Sequence, residues 1–86
     1  MKNPVISIYD KKLTTKEQHQ KIATQEKMWA ASALRDAKYN LKQARTFETQ
    51  GKHVLAEMYM QEYRWCIFWY NRRMKVAMQH EAMARK

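Results

Sequence analysis

The sequence predicts an all-α protein built as a hairpin of two long antiparallel helices. Only one glycine and one proline occur among the 86 residues, whereas most all-β folds need both residue types at their turns. Two long stretches are rich in alanine, glutamine, glutamate, lysine, leucine and methionine, which are strong helix formers. A chain of this length forms one domain at most.

Residues 1–13 differ from the rest and are predicted to form an N-terminal arm. Their segment PVISIY is β-branched and is bounded by Pro4 and Asp10, which is typical of a short strand. A lone strand is not stable. We therefore expect this strand or extended arm to pair with another chain or to lie against the helices of residues 14–86.

The first helix is predicted over residues 15–49. Thr14 and Glu17 have the spacing of a capping box, and Thr15 and Gln18 have its Ser/Thr-x-x-Gln form. No glycine or proline follows until Gly51, which suits the left-handed position after a helix end.

The second helix is predicted over residues 52–84, a stretch without glycine or proline. The small and large residues around Gly51 are spaced as in the turn of tetratricopeptide-type hairpins, and this turn alone carries the resemblance. The resemblance implies that the two helices fold back antiparallel. The residues that carry it are Ala44, Phe47, Gly51, Ala56 and Met60.

The first helix has a basic stripe along one side. The chain has 17 Lys and Arg against 8 Asp and Glu, a net charge of +9, which favours a polyanionic partner. At 100° per residue the stripe lies opposite an apolar side made of Ile22, Trp29, Ala33, Ala37, Leu41, Ala44 and Phe47. The basic stripe lacks the glutamates that usually alternate with lysine and arginine on a salt-bridged helix surface. The stripe consists of Lys27, Arg35, Lys38, Lys42 and Arg45.

The second helix is apolar around most of its circumference, so it should be buried on most sides. One neighbouring helix cannot cover two apolar strips, and we expect a homo-oligomer with this helix at its centre. A dimer forming a helical bundle is the simplest form. Two charges, Glu62 and Arg73, interrupt the apolar strip that we expect to form the interface, and they would pair between antiparallel copies. The predicted interface comprises Leu55, Met58, Tyr59, Glu62, Trp65, Cys66, Trp69, Arg73 and Val76.

No catalytic constellation is visible. The sequence has no Glu-x-x-His motif and no nucleophile elbow around its serines. His53 and Glu57 are four residues apart, a spacing at which two helix side chains could bind one metal ion. Two such residues without a third ligand are more typical of a solvated helix face. We expect no enzyme activity, no cofactor and no metal site.

The sequence also indicates the cellular compartment of the protein. The longest apolar run, residues 65–70, is far too short to span a bilayer. Residues 5–8 are too short for the apolar core of a signal peptide. The single cysteine, Cys66, forms no internal disulfide and suits a reducing compartment. We expect a cytoplasmic protein.

Two functions fit these observations. The first is a non-enzymatic oligomer that binds nucleic acid, either RNA or a nucleoprotein, through the basic stripe. The alternative is an inhibitor or adaptor that docks on an acidic surface of another protein and occludes it. Peripheral membrane binding is a weaker hypothesis, because the apolar side of the first helix is mostly alanine and too shallow for insertion.

Overall fold

The computed structural model describes residues 14–86, which form two α-helices packed against each other. Helix α1 is Thr15–Thr49 and helix α2 is His53–Ala84. Cross-helix contacts join the start of α1 to the end of α2, so the helices are antiparallel. The predicted all-α hairpin is confirmed. The predicted strand or arm lies outside the described residues, and the oligomer stays a prediction.

Helix α1 begins with a capping box at Thr14 and Glu17. The backbone N–H of Glu17 donates to Thr14 Oγ1 at 3.1 Å, and the backbone N–H of Thr14 donates to Glu17 Oε1 at 3.0 Å. Each side chain thus satisfies a backbone donor that has no partner within the helix. Of the two candidate caps in the sequence, the structure has the one at Thr14.

The turn between the helices is a Schellman motif centred on Gly51. Gly51 has φ +75°, a left-handed conformation that L-residues rarely adopt. The N–H of Lys52 donates to the Phe47 carbonyl at 2.9 Å, and the N–H of Gly51 donates to the Glu48 carbonyl at 3.0 Å. Because Lys52 is part of this turn, α2 begins at His53, one residue later than the sequence predicted.

The two helices meet along a seam of alanines. Helix α1 buries an alanine at every seventh residue, and the buried alanines of α2 are also separated by multiples of seven, as in a coiled coil. Alanine lets the helices approach closely but removes little apolar area from water. No large side chain of residues 14–86 is fully buried. The seam consists of Ala23, Ala30, Ala37, Ala44, Ala56, Ala77 and Ala84.

Larger side chains meet beside this seam and set the register of the hairpin. Each pair joins one residue of α1 to one of α2, and the partners recur at multiples of seven along both helices. Because each pair has its own chemistry, a shift by one heptad would mismatch all of them. The pairs are His19 with His80, Glu26 with Arg73, Asn40 with Cys66, and Phe47 with Tyr59.

Candidate interaction surfaces

The side of α1 that faces away from α2 carries an exposed cluster of cations. We call it the basic face, and it consists of Arg35, Lys38, Lys42 and Arg45. None of these four side chains forms an ion pair with a residue in the range 14–86. Their charges are therefore available to an external anion. From Arg35 to Arg45 the face extends about 15 Å along the helix, which spans about four phosphates of one strand.

Lys27, the fifth residue of the predicted stripe, is placed differently. Its Nζ contacts the carboxylate of Glu81 on α2 in a close ion pair. The contact holds Lys27 at the flank of the hairpin and neutralises its charge. Sequence periodicity could not reveal this pairing because the two residues are 54 positions apart. Four of the five predicted cations thus have no ion-pair partner among residues 14–86.

Tyr39 lies within the basic face and was missed in the sequence. Its side chain is 57% exposed. It is four residues after Arg35 and three residues before Lys42, so all three side chains share one helix surface. An exposed aromatic ring among cations is the combination that binds single-stranded nucleic acid, by base stacking and phosphate contact. The spacing of Tyr39 from Arg35 and Lys42 can be read from the sequence once the basic face is known.

Helix α2 carries a second exposed surface, on the flank beside its contact with α1. Its residues follow the alternating three- and four-residue spacing of a coiled-coil seam. Trp65 and Met58 are 59% and 58% exposed, so large apolar side chains project into solvent. The rings of Trp65 and Trp69 both pack edge-on against Phe68. We call this surface the outer seam: Leu55, Met58, Glu62, Trp65, Trp69, Arg72, Val76, Gln79 and Met83.

The predicted interface residues divide into two groups in the structure. Tyr59, Cys66 and Arg73 contact α1 within the same chain, through Phe47, Asn40 and Glu26 respectively. The guanidinium of Arg73 therefore already has a carboxylate partner within the hairpin and does not need Glu62 of another copy as one. The remaining predicted residues lie on the outer seam: Leu55, Met58, Glu62, Trp65, Trp69 and Val76.

The histidines, carboxylates and the cysteine of the described residues lie mostly apart from one another or in pairs. No cluster of three or more His, Cys, Asp or Glu that could hold a metal ion occurs within residues 14–86. His53 contacts Glu48 across the turn at 2.9 Å. Burial raises the pKa of the Cys66 thiol, and nearby carboxylates raise it further, against a hydrogen bond from Asn40 that lowers it. A raised pKa disfavours the reactive thiolate.

Comparison with known proteins gives no match to a family model, a curated protein or a solved structure. Within residues 14–86, neither helix has a stretch long and apolar enough to cross a membrane. The interpretation of function therefore depends on the basic face and the outer seam.

Proposed function

We propose that this protein is a non-enzymatic helical homo-oligomer that binds nucleic acid, RNA or a nucleoprotein, through the basic face of α1. The observation that carries the proposal is the group of four exposed cations that no carboxylate of residues 14–86 neutralises. The proposal places the protein in the cytoplasm, where the thiol of Cys66 stays reduced.

The charge distribution supports a polyanion as the partner. Exposed helix surfaces usually alternate cations with carboxylates, which stabilise the helix through pairs three and four residues apart. The basic face instead gathers like charges at such spacings, as with Lys38, Lys42 and Arg45. Like charges repel each other, and an anionic ligand relieves that repulsion. Release of counterions from the ligand's phosphates adds to the binding free energy.

Tyr39 favours single-stranded over double-stranded nucleic acid. Its exposed ring can stack on an unpaired base, whereas the bases of a duplex are already stacked on each other. Stacking of one base contributes about 1–3 kcal/mol. Neither phosphate contact nor stacking distinguishes strongly between bases, so binding is expected to depend weakly on sequence.

The test compares two triple variants that have the same net charge. The basic-face variant changes Lys38, Lys42 and Arg45 to Glu. The control variant changes Lys52, Lys75 and Lys86 to Glu, three exposed lysines that lie outside the basic face. Each variant loses six units of charge, from +9 to +3. Any difference between them therefore comes from where the charges lie.

Affinity for a fluorescent single-stranded RNA is measured by anisotropy at several salt concentrations. We expect the basic-face variant to lose affinity by far more than the control, and its salt slope to flatten by about 0.7 for each lost phosphate contact. Circular dichroism should show both variants folded, because these side chains are exposed. Equal losses would mean that only net charge matters. No binding of the unmodified protein even at low salt would favour the protein-directed inhibitor or adaptor instead.

Tyr39 gives a second, independent comparison. Tyr39→Ala should weaken binding to single-stranded RNA more than binding to duplex RNA, since only unpaired bases stack on the ring. Tyr39→Phe is the matched control and keeps the ring, so it should bind nearly as the unmodified protein does. Equal binding by all three proteins would remove stacking from the proposal.

A further inference from the structure

The outer seam lies on one flank of α2, roughly 110° around the helix from the side that contacts α1, and α1 leaves its large apolar side chains exposed. Two charged residues interrupt its apolar positions: Glu62 and Arg72. Within residues 14–86, Glu62 forms no ion pair, and Arg72 meets no carboxylate. The guanidinium of Arg72 lies only over the ring of Trp69, at 5.9 Å from its centroid. Both charges thus stand without an opposite charge in the middle of an apolar surface.

We propose that a second copy of this chain covers the outer seam, with the two α2 helices antiparallel about a two-fold axis level with Ile67. Glu62 of each copy then faces Arg72 of the other, twice by symmetry. The proposal rests on the homo-oligomer proposed above and identifies its interface and register.

Charge complementarity selects this register over its neighbours. A coiled-coil seam has two positions in each heptad. In an antiparallel pair, the first position of one helix faces the second position of the other, so acceptable registers differ by whole heptads. In the proposed register Trp65 faces Trp69 of the other copy. A shift of one heptad in one direction places Glu62 opposite Trp65, and a shift in the other direction places it opposite Gln79. Of these three registers, only the proposed one gives the carboxylate an opposite charge, and an unpaired charge buried in an interface is strongly unfavourable.

Most of the apolar positions of the outer seam face apolar positions in this register. Val76 faces Met58 of the other copy, and Leu55 faces the amide of Gln79 near each end. Two pairs of tryptophans lie around the two-fold axis at the centre, where large aromatic side chains contribute most to an interface. The exposed apolar side chains of the outer seam would thereby be buried.

The resulting dimer brings the two α2 helices together and keeps one α1 helix packed against each. Because the outer seam lies on one flank of α2, and the two-fold axis is perpendicular to both α2 helices, the two α1 helices would lie on the same side of the dimer. The dimer would therefore present both basic faces on one side, where a single nucleic acid could contact both.

Sedimentation equilibrium in the absence of nucleic acid tests the proposal. The unmodified protein should be a dimer, and Glu62→Arg alone or Arg72→Glu alone should weaken the dimer at least ~10-fold, because each places like charges opposite each other. The double variant Glu62→Arg/Arg72→Glu should restore it. Glu57→Arg is the matched control: the same change, five residues away on the same helix but outside the outer seam, should leave association unchanged.

Three results would overturn the proposal: an unmodified protein that stays monomeric, single variants that dimerise normally, or a double variant that stays dissociated. Rescue of Glu62→Arg by Arg73→Glu rather than Arg72→Glu would place the axis elsewhere and would also overturn it. If a charge variant lost its helical signal, Trp65→Ala would replace it, with weakened dimerisation as the expected result. The basic-face triple variant should dimerise normally, so a failure of RNA binding and a failure of this interface are separately visible.

Discussion

Glu26 and Arg73 form the only ion pair of the described residues in which one partner is buried. Arg73 Nη1 lies 3.1 Å from both carboxylate oxygens of Glu26, whose side chain is 7% exposed. The guanidinium also lies over the ring of Trp29, 4.6 Å from its centroid. The pair therefore combines a charge-assisted hydrogen bond with a cation–π contact across the hairpin.

Arg73→Met should destabilise the hairpin by about 3 kcal/mol, because it leaves the buried Glu26 carboxylate without a partner. The value is at the low end of the range for broken buried pairs since Arg73 itself is partly exposed. The double variant Glu26→Leu/Arg73→Met should recover most of the loss, because no charge is left buried. Urea denaturation measures both free energies of unfolding.

The control for this prediction is the exposed pair of Arg64 and Glu57, whose charged atoms lie 3.3 Å apart. Arg64→Met should change the free energy of unfolding by less than about 1 kcal/mol. Equal effects of Arg64→Met and Arg73→Met would contradict the importance of burial at Glu26.

Gly51→Ala should destabilise the hairpin by about 1–2 kcal/mol, because alanine is strained at a left-handed φ. No atom lies within 4 Å of the position that the added Cβ would occupy, so the backbone conformation alone would account for the loss. Gly51→Asn should cost less, since asparagine tolerates this conformation better. Gln50→Ala, one residue earlier at φ −83°, is the control and should have little effect. A silent Gly51→Ala would mean that the turn has another conformation in solution.

The start of α1 should loosen in acid. The backbone N–H of Thr14, and then its hydroxyl, hold the pKa of Glu17 below its ordinary value of 4.5. A carboxylate with a lowered pKa stabilises the folded state above its unfolded pKa, and this stabilisation is lost as the pH falls through the folded value. Hydrogen exchange of the first-turn amides should therefore speed up, relative to the middle of α1, below about pH 4.5.

Glu17→Gln provides the comparison for this pH dependence. The glutamine cannot ionise, so the relative protection of the first turn should no longer change across the same pH range. If the variant and the unmodified protein showed the same acid response, other carboxylates would be responsible.

Cys66 should react slowly with iodoacetamide under mildly alkaline conditions, because burial raises the pKa of its thiol and limits access to it. The same cysteine in the urea-denatured chain should react faster. An exposed cysteine on the same helix, Gln61→Cys in a Cys66→Ala background, should react at the rate of a free thiol in the folded protein. A folded-state rate at Cys66 equal to that of this control would contradict the burial of its thiol beside α1.

Local sequence signals were enough to predict the hairpin. A capping box, two stretches without glycine or proline, and one glycine between them act within a few residues of each other, and the structure has α1 and α2 where these signals indicate. Hydrophobic periodicity predicts the alanine seam less well. The predicted apolar side of α1 included Ala37 and Ala44, which are buried, but it also included Trp29, which is 40% exposed, and it left out the buried Ala23 and Ala30. Alanine contributes little to hydrophobic periodicity, so its repeat of seven was overlooked.

The sequence by itself determined two helices, their antiparallel return and an excess of positive charge, because capping, helix propensity and net charge depend on residues near each other or on composition. Only the tertiary structure decided which side of α2 meets α1, since a helix that is apolar almost all round offers no single face to periodicity. That choice joins Arg73 to Glu26, 47 positions away, and joins Lys27 to Glu81. Among residues 14–86 it leaves Arg72 and the basic face without a carboxylate partner, because ion pairs between distant residues form only where close packing of the two backbones brings their side chains together.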